Sequence, residues 1–248
     1  MFVLRMALRE TRASWRRLLF FFICIAIGVG AIVALRSVIQ SVRAVFGQEA
    51  KSLIAADVLI STTRDWTPEA RQTIDRRLLA AGALQQTETV ETPTMVRPED
   101  ERRTVARMVE LRAVQSGFPL YGTLELDGGL TYTHALLERK GVLVRPELLT
   151  ALNVKVGEQI VIGQAPFTIR GIIRNEPGRR VGDFSLGPRV LIDLADLPDT
   201  GLLTFGSRAR HVILVRAPDA RIDPLVAALR SDFKEEFITA RSFRGTDD

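Results

Sequence analysis

Leu18 to Leu35, LLFFFICIAIGVGAIVAL, is a run of eighteen residues with no charge and no strongly polar group. As a helix rising ~1.5 Å per residue it reaches about 27 Å, close to the ~30 Å hydrocarbon core of a bilayer. A basic head, residues 1–17, precedes it, and a far longer body of mixed texture follows. The run exceeds the apolar core of a secretory signal, and Ala31, Ala34 and Arg36 make a poor cleavage site, so residues 18–38 read as an uncleaved anchor rather than a removed leader. Arg16-Arg17 before Leu-Leu-Phe touches only weakly on a twin-arginine export signal. Arg5, Arg9, Arg12, Arg16 and Arg17 precede the run and Arg36 follows it, which places the head in the cytoplasm and the body outside.

Charge is uneven. The chain carries a net +5, all of it in residues 1–38, and the remaining 210 residues balance 28 basic against 28 acidic side chains. A neutral body gives no basic face for nucleic acid, so no nucleic-acid partner is expected. The one cysteine, Cys24, lies in the apolar run and excludes an internal disulfide. Gly28 and Gly30 form a GxG without a preceding strand, which fails as a nucleotide loop and suits close helix packing.

Beyond the run, Val38, Val42 and Val45 keep a helical spacing, so residues 39–52 read as a stalk. Asp57-Val-Leu-Ile-Ser61 reads as a strand, and Thr67-Pro68-Glu69 opens a helix that Gly82 ends. Leu84–Val96 and Thr104–Val114 are extended across a charged turn. From Phe118 to Ser207 glycine and proline are frequent and strands are short: Gly141–Val144, then a helix Pro146–Leu152, then Gly157–Ile162, Phe167–Ile173 and Arg189–Asp193. The first texture returns with a strand from His211 to Arg216, a helix from Ile222 to Phe233 and a strand from Phe237 to Phe243. The expected fold class is α+β (mixed α/β): a split α/β subdomain, residues 53–117 and 208–243, around a β-rich insert, residues 118–207.

Several stretches carry a resemblance. They are Trp15-Arg-Arg-Leu, the Gly/Ala-bearing run, Asp57-Val-Leu-Ile, Val142-Leu-Val-Arg-Pro-Glu-Leu-Leu, Leu152-Asn-Val-Lys-Val-Gly157, Ile160-Val-Ile-Gly163, Phe167-Thr-Ile-Arg-Gly-Ile-Ile173, Gly187-Pro-Arg-Val, Leu194-Ala-Asp-Leu-Pro and Gly206-Ser-Arg-Ala-Arg. In this order and spacing the chain resembles the MacB/FtsX-type ABC transporter permeases, in particular their YbbP-like branch. The resemblance implies an inner-membrane permease whose porter-like periplasmic domain follows the first span. Its implied partners are a separate ATP-binding subunit, the remaining transmembrane helices of the permease, and membrane lipid. Those further spans would lie after Asp248, so the chain is expected to be a fragment or a truncated product.

No catalytic residue, cofactor or metal is expected. His134 and His211 lie far apart, no cysteine lies outside the apolar run, and no G-x-S-x-G elbow occurs. The loop Glu176 to Ser185 is the candidate for lipid or partner contact, through Arg179, Arg180 and Phe184; the alternative is an ordinary connection. Two functions stand open. One is a permease part that couples ATP turnover by a separate subunit to movement of the periplasmic domain, for export or extraction of hydrophobic cargo. The other is a single-pass anchored binding or adaptor module without transport.

Overall fold

The computed structural model describes residues 19–20, 22–38, 56–100, 102–176, 187–204, 207–234 and 236–243. The head, the stalk and the candidate loop with Arg179, Arg180 and Phe184 fall outside these residues. Two compact units divide the chain, Met1–Glu49 and Ala50–Asp248. In the first, residues 19–20 and 22–38 are helical, with Phe20, Phe22, Ile27 and Ile32 more than half exposed. Among the described residues no helix is long and apolar enough to cross a membrane.

Among its described residues the second unit has ten strands: β1 (Val58–Thr62), β2 (Gln85–Pro98), β3 (Arg107–Val114), β4 (Glu125–Leu126), β5 (Gly141–Val144), β6 (Gln159–Ile162), β7 (Ala165–Asn175), β8 (Arg189–Asp193), β9 (Arg210–Arg216) and β10 (Ile238–Ser242). Three helices accompany them, α1 (Pro68–Ala81), α2 (Pro146–Leu152) and α3 (Asp219–Asp232). Helix α1 begins where its sequence dictates: the Thr67 hydroxyl accepts the Ala70 N–H at 3.2 Å, and Pro68 occupies the first turn, where an N–H has no intrahelical partner. Gly82, at φ 66°, takes the left-handed conformation that returns the last N–H to the carbonyls of Leu78 and Leu79.

Strands β10, β1, β9 and β2 lie side by side in that order, every neighbouring pair antiparallel. Two split β-α-β units therefore interleave: α1 links β1 to β2 across β9, and α3 links β9 to β10 across β1. Both helices bury apolar faces (Ala70, Ile74 and Leu78; Ile222, Leu225, Val226 and Leu229) on Val58, Ile60, Ile213 and Val215. This is the four-stranded arrangement of ferredoxin-like folds, with residues 99–209 inserted between its second and third strands.

The insert does not stand apart from the sheet. β3 pairs antiparallel with β2 and parallel with β8; β8 pairs with β5, β5 with β7, β7 with β6, and β6 returns to β2 through Val96↔Ile162. Six strands thus close into a barrel that shares β2 with the open sheet. Alternation places Val96, Val109, Leu111, Val142, Val144, Ile160, Ile162, Phe167, Ile169, Val190 and Ile192 in one core, together with Leu148 and Leu152 of α2. Fully burying side chains of this size stabilises by about 1.5–3 kcal/mol each. The texture change at Phe118 does not coincide with a break in hydrogen bonding, because β2 and β3 belong to the barrel as well. Segment 115–137, which the sequence left without assigned elements, holds β4 and short 3-10 turns at Asp127–Gly129 and His134–Leu136. Its Phe118, Leu124, Leu126 and Leu137 form a third core with Leu143, Leu191, Val212 and Leu214.

Candidate functional site

Asp57 precedes β1 at the start of the domain and is fully buried. Its N–H donates to the Val215 carbonyl at 2.9 Å, and its own carbonyl accepts the Phe243 N–H at 3.2 Å. Its carboxylate accepts the Ala217 N–H at 3.1 Å and the Tyr121 hydroxyl. One residue thus ties together the beginning of β1, the end of β10, the end of β9 and segment 115–137, its backbone holding β10 and its carboxylate holding Ala217 and Tyr121. The antiparallel register Val58↔Ser242 keeps the arriving and departing strands adjacent. Sequence reading placed the strand here but not the clamp, since nothing in Asp57-Val-Leu-Ile tells which distant N–H groups the carboxylate will meet.

A second constellation crosses the sheet. Arg210, Glu91 and Arg112 are direct cross-strand neighbours on β9, β2 and β3, and Glu110 and Arg189 are neighbours on β3 and β8. Opposite charges at such positions attract at close range. Arg112 Nη1 lies 2.8 Å from Glu176, with both side chains about 5% exposed or less. Its Nε is 3.3 Å from Glu91, close enough for an ion pair but out of line for a hydrogen bond. Arg189 reaches Glu176 at 3.3 Å and Glu110 at 3.2 Å, while Arg210 reaches Glu91 at 3.4 Å. Three arginines and three glutamates cancel. Burial, the largest influence, favours the neutral Glu91 carboxyl, but Arg112, Arg210 and Arg189 together outweigh it and hold its pKa below the ordinary value. Burial disfavours the charged Arg189 most strongly as well, and Glu176, Glu110 and Glu91 together overcome it, so its pKa rises. Arg112 also stacks 4.7 Å above the Phe118 ring. Glu176 is the first residue of the candidate loop, directly after β7. At the loop's far end Gly187 lies against β3 so closely that a Cβ would come 2.2 Å from the Met108 carbonyl oxygen. The alternation of Glu110 and Arg112 on β3 is the one sequence signal that could have pointed here.

The two histidines stay apart in role. His211, on β9, is 3.1 Å from the exposed Asp65 carboxylate. His134 opens a 3-10 turn and places Nε2 3.3 Å from Asp193 Oδ2. Ser116, His134 and Asp193 all line one open cleft. They do not make a nucleophilic relay: with Nε2 on Asp193, the nitrogen left to take a serine proton is Nδ1, which is sealed from solvent and has no hydrogen-bond partner among the described residues. Beside them the Tyr132 hydroxyl is buried, and burial first, then Asp193 and Glu176, push its pKa up to about 12. Among the described residues no group of three or more His, Cys, Asp or Glu side chains is placed to hold a metal ion.

The fold and its clamp define an α/β domain whose two chain ends are held side by side. The chain belongs to the MacB-like periplasmic core domain family, whose model matches residues 19–232. A protein of Escherichia coli (strain K12) described as "Uncharacterized ABC transporter permease YbbP" is 27% identical over 202 residues, 79% of this chain and 23% of that protein. The chain therefore spans about a quarter of the length of that relative. Among solved structures, the periplasmic region of MacB from Actinobacillus actinomycetemcomitans aligns with a TM-score of 0.48 at 15% identity, covering 78% of this chain and 92% of that one. The extracellular domain of the noncanonic ABC-type transporter YknZ from Gram-positive bacteria aligns with a TM-score of 0.49 at 13% identity, covering 75% and 100%.

Proposed function

We propose that this chain is the N-terminal part of an ABC transporter permease. ATP hydrolysis by a separate cytoplasmic subunit moves the periplasmic domain through the membrane-anchored segments, and the movement drives export or extraction of hydrophobic, lipid-like cargo. Residues 18–38 are the first span, residues 39–52 a stalk, and the domain lies outside the inner membrane. Segments 53–117 and 208–243 receive the motion, residues 118–207 are carried with them, and Arg179, Arg180 and Phe184 meet lipid or a partner protein. The observation that supports this reading most is the hydrogen bond from Phe243 N–H to the Asp57 carbonyl, with β10 paired to β1 beside it. A displacement applied at either end of the domain reaches the same two strands, so the domain responds as a lever without chemistry of its own.

The test uses the full-length permease reconstituted with its ATPase. Val42→Gly with Val45→Gly softens the stalk, since a glycine in a helix interior costs about 1 kcal/mol relative to alanine. Transport falls while ATPase binding and the fold of the domain persist, and His211→Ala has little effect. If His211→Ala abolished transport while the double-glycine variant kept it, an active site would replace the lever. A protein that stays anchored and binds a partner but never couples to ATP turnover would instead be the adaptor.

A further inference from the structure

The cleft at the ends of β3 and β8 has a volume of about 690 Å³, within the roughly 300–1,000 Å³ of small-molecule sites. One wall is Gln86, at the start of β2, with Gln115, Ser116 and Gly117 after β3; the other is His134, Asp193, Leu194 and Ala195. Gln86 comes from β2, the strand that the open sheet shares with the barrel, and the other lining residues come from the insert.

Its chemistry is specific in sign. Among the described residues no lysine or arginine lines the cleft, and the carboxylate of Asp193 repels anions. Both Asp193 oxygens are already engaged, Oδ2 by His134 Nε2 at 3.3 Å and Oδ1 by the Ala195 N–H at 3.1 Å, which leaves little for a bare cation. What remains are neutral hydrogen-bonding groups. Gln115 is held by its carbonyl oxygen, which accepts the Glu88 N–H at 2.9 Å, so its amide –NH₂ is left to donate. Gln86 adds a carboxamide and Ser116 a hydroxyl, while Leu194 and Ala195 add an apolar wall. Just beneath, two buried polar atoms have no partner among the described residues: His134 Nδ1 and the hydroxyl of Thr87. Thr87 lies under Gly117, where a Cβ would come 3.2 Å from the Thr87 Cβ.

We infer that this cleft binds a neutral, polyhydroxylated ligand of the saccharide class, whose hydroxyls meet the carboxamides of Gln86 and Gln115 and the Ser116 hydroxyl and whose apolar ring face lies on Leu194 and Ala195. The same chemistry is offered by a free sugar and by the headgroup of a glycolipid. The site requires no lever motion and stands apart from the transport reading.

Saturation-transfer NMR on the full chain in phosphatidylcholine nanodiscs, with maltose as probe and glycerol 3-phosphate and choline as charged counterparts, tests it. Maltose gives a saturable signal, and the charged probes neither bind nor compete. Nanodiscs containing a diglucosyl diacylglycerol separate the two sources: the maltose signal falls if the lipid headgroup reaches the cleft and persists if the ligand is a soluble sugar. Gln115→Ala and Gln86→Ala each weaken maltose binding about tenfold, equivalent to ~1.4 kcal/mol. Ser116→Trp, at an exposed turn, fills the cleft and abolishes binding while the unfolding midpoint stays unchanged. The inference is overturned by absence of saturable maltose binding in either nanodisc, by equal binding of a charged probe, or by maltose binding that survives Ser116→Trp.

Discussion

Replacing Arg112 with methionine tests whether the charge ladder organises the sheet. The methionine keeps an unbranched apolar stem on β3 but removes the guanidinium that sits 2.8 Å from Glu176 and 3.3 Å from Glu91. Each carboxylate keeps one weaker partner, Arg189 at 3.3 Å for Glu176 and Arg210 at 3.4 Å for Glu91. Glu176 nevertheless remains almost fully buried with its best partner gone. Breaking a buried pair on one side costs about 3–5 kcal/mol, because the surviving charge stays desolvated. For a domain of this size each kcal/mol lowers the melting temperature by about 2–4 °C, so a fall of roughly 6–20 °C is expected. The measurement is urea and thermal unfolding of residues 50–248, followed by circular dichroism, with the urea m-value checked for two-state behaviour. Arg112→Met with Glu176→Gln removes one charge of each sign and recovers a large part of the loss. A loss under about 1 kcal/mol for Arg112→Met alone, the range of exposed pairs, would refute the reasoning, as would a double variant less stable than the single.

The ladder also sets an acid limit. Glu91 has a folded pKa below its ordinary 4.5, so its stabilising contribution is complete above that value and is lost as pH falls through the depressed one. Unfolding free energy of residues 50–248 should decline below about pH 4.5, and Glu91→Gln should flatten that decline. Asp57→Ala leaves the Ala217 N–H and the Tyr121 hydroxyl without this acceptor and should cost about 1–3 kcal/mol, with amide exchange quickening first at Ala217; unchanged protection there would remove the clamp from the account. Gly163, at φ 60° in the β6–β7 turn, would place a Cβ 2.0 Å from the Thr200 carbonyl oxygen. Gly163→Ala should therefore destabilise by more than the ~1 kcal/mol of an ordinary glycine substitution, measured by the same unfolding series.

Local chemistry made much of the domain legible beforehand. Thr67-Pro68 and Gly82 mark the ends of α1 because capping is a property of a few adjacent residues. Asn153 closes α2 at φ 53°, as its place after Leu152 implied. The alternation Phe167, Ile169, Gly171, Ile173 defined the buried face of β7 before any partner strand was known. Segment 115–137 was not legible, because its 3-10 turns lack periodicity and its apolar residues gain meaning only from the sheet they cover.

What the sequence by itself determined is the apolar run at residues 18–35, the neutral body after it, and the position and type of nearly every strand and helix. These follow from hydrophobic period, caps and charge within windows of a few residues. Tertiary structure alone decided how the strands are ordered. Six strands close a barrel because β6 returns to β2, a pairing between segments some sixty residues apart that no local pattern encodes. It alone also brought Asp57 to Ala217, Tyr121 and Phe243, set Glu176 between Arg112 and Arg189, and gathered Gln115, Ser116, His134 and Asp193 around one cleft. Polar side chains of this kind read as solvated surface in sequence; only their meeting with distant segments turns their charge and hydrogen-bonding capacity into a clamp, a ladder and a polar cleft.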